Sequence, residues 1–445
     1  MNALPQVDAV PAVPESELRQ LWRLALPLAL AQAGQALMGT VDTAVVGHVN
    51  STAQAAAGLG NSLTFTISFF GMGVMLALDP LVSQAIGAGK PKEAREHLWQ
   101  GGWLALLTSV VVMVMTALVP FVLPLFRVEP EVARGAAQYI WVRLPGVPGL
   151  LLFVATRSYL SGVGRTQATV LAMVLANVAN LGLDLVLVFG AGPIPALGMI
   201  GSALATAVCT WLQWAVLLAA LGPSPEGVRR RVDWKELKTM AVIGVPVGLH
   251  FLAESGVFSL TGVLAGRLGA TPAAGHVVAL NMASLTFCVA AGIGAAASTR
   301  VGWAIGAKDQ AGARRAGITA FGSAAGFMAL AALLFVAIPR VLANAMTNDV
   351  DVVEVVVQLV LVCALFQVSD GLQAVGAGVL RGAGETGFTF RANVIGHWLV
   401  GLPVAIGLCF GLHLGVVGLW LGLSAGLTVV AVALVVKFLR LVPAS

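Results

Sequence analysis

The chain has 445 residues, 58% of them hydrophobic and only 10% charged, with a mean hydropathy of +0.92 and a net charge of +5. A soluble globular protein carries about 25% charged residues, so a soluble multidomain enzyme is excluded. The basic balance needs no nucleic acid to explain it, because membrane proteins collect lysine and arginine on their cytoplasmic rims.

Residues 1–20 carry prolines together with Glu15 and Glu17 and read as a cytoplasmic N-terminal tail. They lack the basic segment and short apolar run of a cleaved signal peptide. Twelve apolar runs follow, at 21–47, 58–86, 98–124, 132–160, 167–189, 197–221, 235–266, 275–299, 312–338, 351–380, 388–410 and 416–441. Each is long enough for a bilayer-spanning helix, which needs about 20 residues. The segment 222–234, GPSPEGVRRRVDW, breaks the series with Pro, Gly and a charge run and reads as a cytoplasmic linker. It divides an N-terminal six-helix lobe at 21–221 from a C-terminal six-helix lobe at 235–441. Cys209, Cys288, Cys363 and Cys409 all sit inside apolar runs and read as small core residues rather than as disulfide or metal partners.

The two lobes repeat each other. QAIGAGKPKEAR at 84–95 answers WAIGAKDQAGAR at 303–314, and Pro27 answers Pro246, both at an offset of 219. SGVGRT at 161–166 answers RGAGET at 381–386 at an offset of 220. Six helices return the chain to the side on which it began, so the copies run in parallel and are related by a pseudo-two-fold axis along the membrane normal. The fold expected is an all-α polytopic membrane protein of two six-helix repeats. With the N-terminus inside, 20 of the 25 lysines and arginines fall on the cytoplasmic side and 5, including Arg127, on the other. The positive-inside rule then places both termini in the cytoplasm.

Ionisable groups inside a spanning helix are costly and mark function. The deep acids are Asp42, Asp184, Glu254 and Asp370, with Asp79 nearer the cytoplasmic end of the second span. Each deep acid lies on a polar stripe at helical spacing: Gln32, Gln35 and Asp42; Asn177, Asn180 and Asp184; His250, Glu254 and Thr261; Gln367, Asp370 and Gln373. Lipid rejects such faces, so they must look at protein or water. The scaffold is duplicated and the acids are not. Across the repeat Asp42 falls on Thr261 and Glu254 on Gln35. That pattern assigns Asp42, Asp184 and Asn180 to one task and Glu254 and Asp370 to another. A carboxylate in low dielectric takes up a proton readily, and paired carboxylates with amide oxygens suit a small hard cation such as Na+. Either chemistry fits an antiporter in which ion and lipophilic cation compete for one negative site. Gln35, Asn61, Asn177, His250, Asn281, Phe287, Phe366 and Gln367 are candidate walls of a substrate cavity. His276 and His397 are expected to be satisfied interior donors. No phosphate-binding loop, dinucleotide fingerprint or zinc-helix motif is present, so neither an enzymatic activity nor a cofactor other than the coupling ion is expected.

Several segments resemble the multidrug and toxic compound extrusion (MATE) family. They are MGTVDTAVVG at 38–47, PLVSQAIGAG at 80–89, PVGLHFLAE at 246–254, RVGWAIGA at 300–307 and SDGLQAVGAGVLRGAGET at 369–386. The match spans residues 20–440, and Glu254 with Asp370 makes the chain most similar to the NorM-like branch. The resemblance implies two six-helix lobes around a V-shaped cavity and cation-coupled export of amphipathic, often cationic, compounds. It implies cation binding, with Na+ the expected ion, at Glu254 and Asp370, and proton or drug coupling at Asp42. The expected setting is the plasma (inner) membrane, with the protein monomeric in the bilayer and its partners an organic cation and a monovalent ion. The competing reading is a lipid-linked precursor flippase of the same broad superfamily. That activity would call for basic residues in the cavity, where this chain has acids.

Overall fold

The computed structural model describes residues 16–123 and 128–443. Most of the expected N-terminal tail, and Arg127 of the outer basic group, lie outside the described residues. The first half of the chain forms α1 (Glu17–Gly47), α2 (Ser51–Met75), α3 (Leu78–Gly87), α4 (Pro91–Val122), α5 (Pro130–Arg143), α6 (Gly146–Gly162), α7 (Gln167–Phe189) and α8 (Met199–Ala219). The second forms α9 (Trp234–Arg267), α10 (Ala270–Gly306), α11 (Gln310–Ala337), α12 (Pro339–Met346), α13 (Val350–Gly382), α14 (Thr386–Asn393), α15 (Leu402–Ile406) and α16 (Gly415–Leu441). Among the described residues there is no β-strand beyond a single bridge between Ala191 and Ile194.

Eleven helical stretches are long and apolar enough to cross a bilayer, and the pair α5–α6 makes a twelfth. The bilayer-facing shell is apolar, with Phe121, Val178, Leu330 and Leu365 largely exposed. Helix starts follow local chemistry: the side chains of Asn50, Asp233, Asp309 and Asp349 accept hydrogen bonds from the first free amides of α2, α9, α11 and α13.

Three details differ from the straight spans expected. The run 132–160 is two helices bent by 53° at Leu144–Pro145, because proline lacks the amide that would continue the ladder. The run 388–410 is not uniformly α-helical: π-helical turns at Val394–Gly401 and Gly407–Gly411 flank α15, and the first accommodates the Pro403 ring. The short α12 lies between spans and has no counterpart among the expected elements. Helices α1 and α9, by contrast, run through Pro27 and Pro246 without a break.

The lobes are held together by their first helices, which cross over. Leu21, Leu24, Ala25 and Leu28 of α1 pack into the core of α10, α11, α13 and α16. Leu237, Met240 and Val247 of α9 pack reciprocally into the core of α2, α3, α4 and α6. Farther along, Met38 of α1 and Leu264 of α9 return to their own lobes. Hydrogen bonds across this contact obey the repeat: Gln84 Nε2 donates to the Gly382 carbonyl at 2.9 Å, and Trp303 Nε1 to the Gly162 carbonyl at 2.7 Å. These are the same positions of the two copies, exchanged. The pseudo-two-fold axis therefore passes between α3 and α10. Arg300 of α10 adds ties to Glu17, at 2.6 Å, and to Gln20.

One cross-lobe contact breaks the symmetry. Arg381 Nε, at the end of α13, donates to Asp79 Oδ2 of α3 at 2.9 Å, and both side chains are buried. The repeat places Ser161 where the other copy has Arg381, and Ser161 meets Thr299 hydroxyl to hydroxyl at 3.1 Å.

Glycines let the backbones touch along this base. A methyl on Gly73 would sit 2.6 Å from Gly248 Cα, and one on Gly292, its repeat partner, 2.6 Å from the Ala29 nitrogen. Gly73→Ala and Gly292→Ala should each destabilise the protein by about 1–3 kcal/mol through overpacking. Gly102 faces open space, so Gly102→Ala should be neutral or slightly stabilising. Thermal unfolding in detergent checks this ordering, and equal melting temperatures for the three variants would contradict the close lobe contact.

Candidate coupling site

In the N-terminal lobe three helices converge on one buried polar cluster. Helix α1 brings Asp42. Helix α7 brings Asn180 and Asp184, four residues apart and so on one face. Helix α8 brings Ser202 and Thr206 at the same spacing. Thr206 Oγ1 donates to Asp42 Oδ2 at 2.7 Å. Asn180, Asp184 and Ser202 are fully buried and Asp42 is 4% exposed. Asp184 adjoins the side chains of Asp42 and Ser202, yet Asp42 Oδ1, both Asp184 oxygens, Asn180 Oδ1 and Ser202 Oγ make no hydrogen bond of regular geometry among the described residues. Asp42 and Asp184 lie within electrostatic reach of each other, and Arg143 of α5 and the buried Tyr139 adjoin the same cluster. Two carboxylates beside one guanidinium leave one negative charge over. Buried polar groups are almost always satisfied, so such a group of oxygens is suited to hold a proton or a small cation.

The C-terminal lobe is arranged differently. Gln373 Nε2 of α13 donates to Glu254 Oε1 of α9 at 2.5 Å, and His250 Nε2 lies 3.5 Å from Glu254 Oε2. Asp370, one turn before Gln373, is 7% exposed and within electrostatic reach of Glu254. Glu254 thus accepts from the Gln373 amide and lies beside the His250 ring, and Asp370 sits near it as the second carboxylate. The acids grouped by lobe in the sequence, Asp42 with Asp184 and Glu254 with Asp370, lie within electrostatic reach of each other in the bundle.

The candidate cavity walls divide. Gln35, Asn61, Asn177 and Phe287 are half-buried and Asn281 is exposed. Asn177 Nδ2 donates to the Gly34 carbonyl at 3.1 Å, tying α7 to α1. His250 lines a small cavity with Arg381, Thr386 and Thr389. Phe366 and Gln367 lie instead in the core. Phe366 packs against Trp420 with ring centroids 5.8 Å apart, and Gln367 donates to Thr286 Oγ1 at 2.9 Å. Gln367 belongs to the same stripe as Asp370 and Gln373, but its amide is taken up by α10 rather than by the acids. His276 is satisfied, accepting from Trp420 Nε1 at 3.1 Å. His397 is not: both ring nitrogens are buried without a partner among the described residues. Sequence reasoning missed Arg143, Ser202 and Thr206. The last two were visible only as hydroxyls four apart in an apolar run, a pattern that spanning helices often use for packing.

The MatE family model matches the chain twice, over residues 27–186 and 246–407, the two copies starting at Pro27 and Pro246. The chain belongs to the MatE family. It is 37% identical over 438 residues to "Probable multidrug resistance protein NorM" of Bradyrhizobium diazoefficiens, covering 95% of this chain and 93% of the relative. It is 32% identical to the multidrug resistance protein MdtK of Edwardsiella ictaluri over 96% of this chain and 97% of that one. The fold superposes on the crystal structure of the eukaryotic MATE transporter AtDTX14 with a TM-score of 0.86, 24% identity and 95% of each chain covered. As a MatE protein, this chain is a multi-pass membrane transporter built from two repeats, and not an enzyme.

Proposed function

We propose that this MatE transporter is an antiporter that takes in Na+ or H+ and exports amphipathic, cationic organic compounds. The observation that carries the reading is the set of buried oxygens on Asp42, Asn180, Asp184 and Ser202 that make no hydrogen bond of regular geometry among the described residues. Hard monovalent and divalent cations take oxygen ligands, and the single uncompensated negative charge of this cluster suits one monovalent ion or one proton. Glu254 and Asp370 form the second acidic station in the opposite lobe. Two relatives named as multidrug resistance proteins support an organic export substrate. The bias of basic residues supports a plasma (inner) membrane setting with both termini cytoplasmic.

The test uses proteoliposomes loaded with a lipophilic cationic dye. An imposed Na+ or H+ gradient should drive dye efflux, and the gradient that works identifies the ion. No dye movement under either gradient overturns the coupling. Asp370→Asn should slow gradient-driven efflux by about tenfold or more, the scale of losing one group of an ion site. Full residual efflux would remove Asp370 from the cycle.

A further inference from the structure

Where α4 and α9 begin, the protein carries a surface that is basic and aromatic together. Along α4, Trp103, Leu106, Leu107, Val110 and Val114 are exposed on one face, the apolar face that a spanning helix turns to lipid. Trp99, one turn earlier, is exposed on the same face. On α9, Trp234 is 71% exposed and heads a second outward face that continues through Lys238, Val242 and Leu249. The two helices adjoin at His97 and Glu236, 2.5 Å apart. The linker between the lobes is strapped across this place. Trp103 Nε1 donates to the Arg230 carbonyl at 2.9 Å, and Gln100 Nε2 to the Arg231 carbonyl at 2.7 Å. Gln100 Oε1 accepts from the Asp233 amide at 3.0 Å. These bonds fix the backbone that carries three consecutive arginines.

The charges on the strap are not equivalent. Arg229 is balanced by Glu96 at 3.4 Å and Asp233 at 3.5 Å. The Arg230 guanidinium lies over the Trp99 ring, 5.0 Å from its centroid, which holds it on the lipid-facing side of α4. Arg230, Arg231, Lys235 and Lys238 are exposed, and none has an ion pair among the described residues. Tryptophan settles at the headgroup level of a bilayer, basic side chains beside it attract anionic headgroups, and the planar fork of arginine fits a phosphate in two-point contact. The feature is confined to one lobe. Across the repeat Trp99 falls on Ile318 and Trp103 on Gly322, so the start of α11 has neither ring.

We propose that the strapped linker and the starts of α4 and α9 bind one anionic phospholipid from the leaflet on the linker's side of the membrane. Arg230 and Arg231 hold its phosphate, and Trp99 and Trp103 lie at the level of its glycerol. Its acyl chains run down the exposed face of α4 at Leu106 and Val110. The site uses none of the acid clusters, so it stands whichever ion the transporter couples to.

Native mass spectrometry of the delipidated full-length protein, titrated with phosphatidylglycerol or with phosphatidylcholine, tests this. The first phosphatidylglycerol should bind about tenfold more tightly than the first phosphatidylcholine, and Arg230→Gln with Arg231→Gln should abolish the preference. Trp99→Leu keeps an apolar side chain but removes the ring beneath Arg230, and should weaken phosphatidylglycerol binding by about threefold. Lys308→Gln with Arg315→Gln removes the same charge from exposed positions around the start of α11 and should leave binding unchanged. All of these side chains are exposed, so every variant should melt as wild type does. Undiminished phosphatidylglycerol binding by the Arg230 and Arg231 double variant, or an equal loss in the Lys308 and Arg315 control, would overturn the proposal. Excess inorganic phosphate should not displace the lipid. Displacement would assign the site to a free anion and overturn the lipid reading.

Discussion

Replacing Asp184 by Asn should reduce ion-driven export by about a hundredfold, near the upper range of an ordinary coupling free energy, without unfolding the protein. Asp184 is fully buried, and neither carboxylate oxygen makes a hydrogen bond of regular geometry among the described residues. Beside it lies another acid, Asp42, which accepts from Thr206, and the single guanidinium of Arg143 in the same cluster balances one of the two. Two carboxylates in low dielectric repel unless a cation or proton joins them. The neutral amide removes the repulsion and the binding charge together. In ion-free buffer Asp184→Asn should therefore melt no lower than wild type. Wild type alone should gain melting temperature as the coupling ion is added, because a ligand that binds the folded state stabilises it. A variant that melts lower and still exports at the wild-type rate would mean that Asp184 serves the fold.

The second large effect concerns the closed base. Asp79 and Arg381 form a buried ion pair between lobes, and removing one partner of such a pair costs about 3–5 kcal/mol because the other is left uncompensated. That cost falls on the arrangement in which the lobes touch at α3 and α10. Asp79→Ala or Arg381→Gln should thus favour separation of the lobes at this end. A cysteine in place of the half-buried Ala383, next to the Gln84–Gly382 bond, should react with a water-soluble thiol reagent faster in either single variant. The double variant strands neither member of the pair, with Arg157 the one cation left nearby, so its rate should fall back toward that of wild type. Strict additivity of the two substitutions would show that the pair does not hold the base closed. The repeat-related contact, Ser161 with Thr299, carries no charge, and its removal should matter far less.

How much of this could be read before folding differs between the two lobes' sites. The acids announced themselves because each stands alone in an apolar helix, and helical periodicity put Asn180 beside Asp184 and Gln373 beside Asp370. Local spacing says nothing, however, about which helices meet. That Thr206 of α8 satisfies Asp42 of α1, 164 residues away in sequence, follows from the bundle's packing. The same holds for Gln367, which shares a stripe with Asp370 and Gln373 and looked like a cavity wall, yet bonds Thr286 in the core. A buried amide facing a partner and one facing a cavity have the same periodicity. His397 was read as satisfied for a like reason: partners lie on other helices.

Length, hydropathy and the repeat at an offset of 219 determined a twelve-span, two-lobed membrane protein by themselves, because the bilayer forces backbone hydrogen bonding into helices whose apolar runs are legible residue by residue. Only tertiary structure decided how the lobes interlock, through the crossed first halves of α1 and α9 and the Asp79–Arg381 pair, and which buried polar atoms are left open. Those outcomes depend on contacts between residues more than a hundred positions apart, and they are set by close packing of glycines and side chains that no local pattern records.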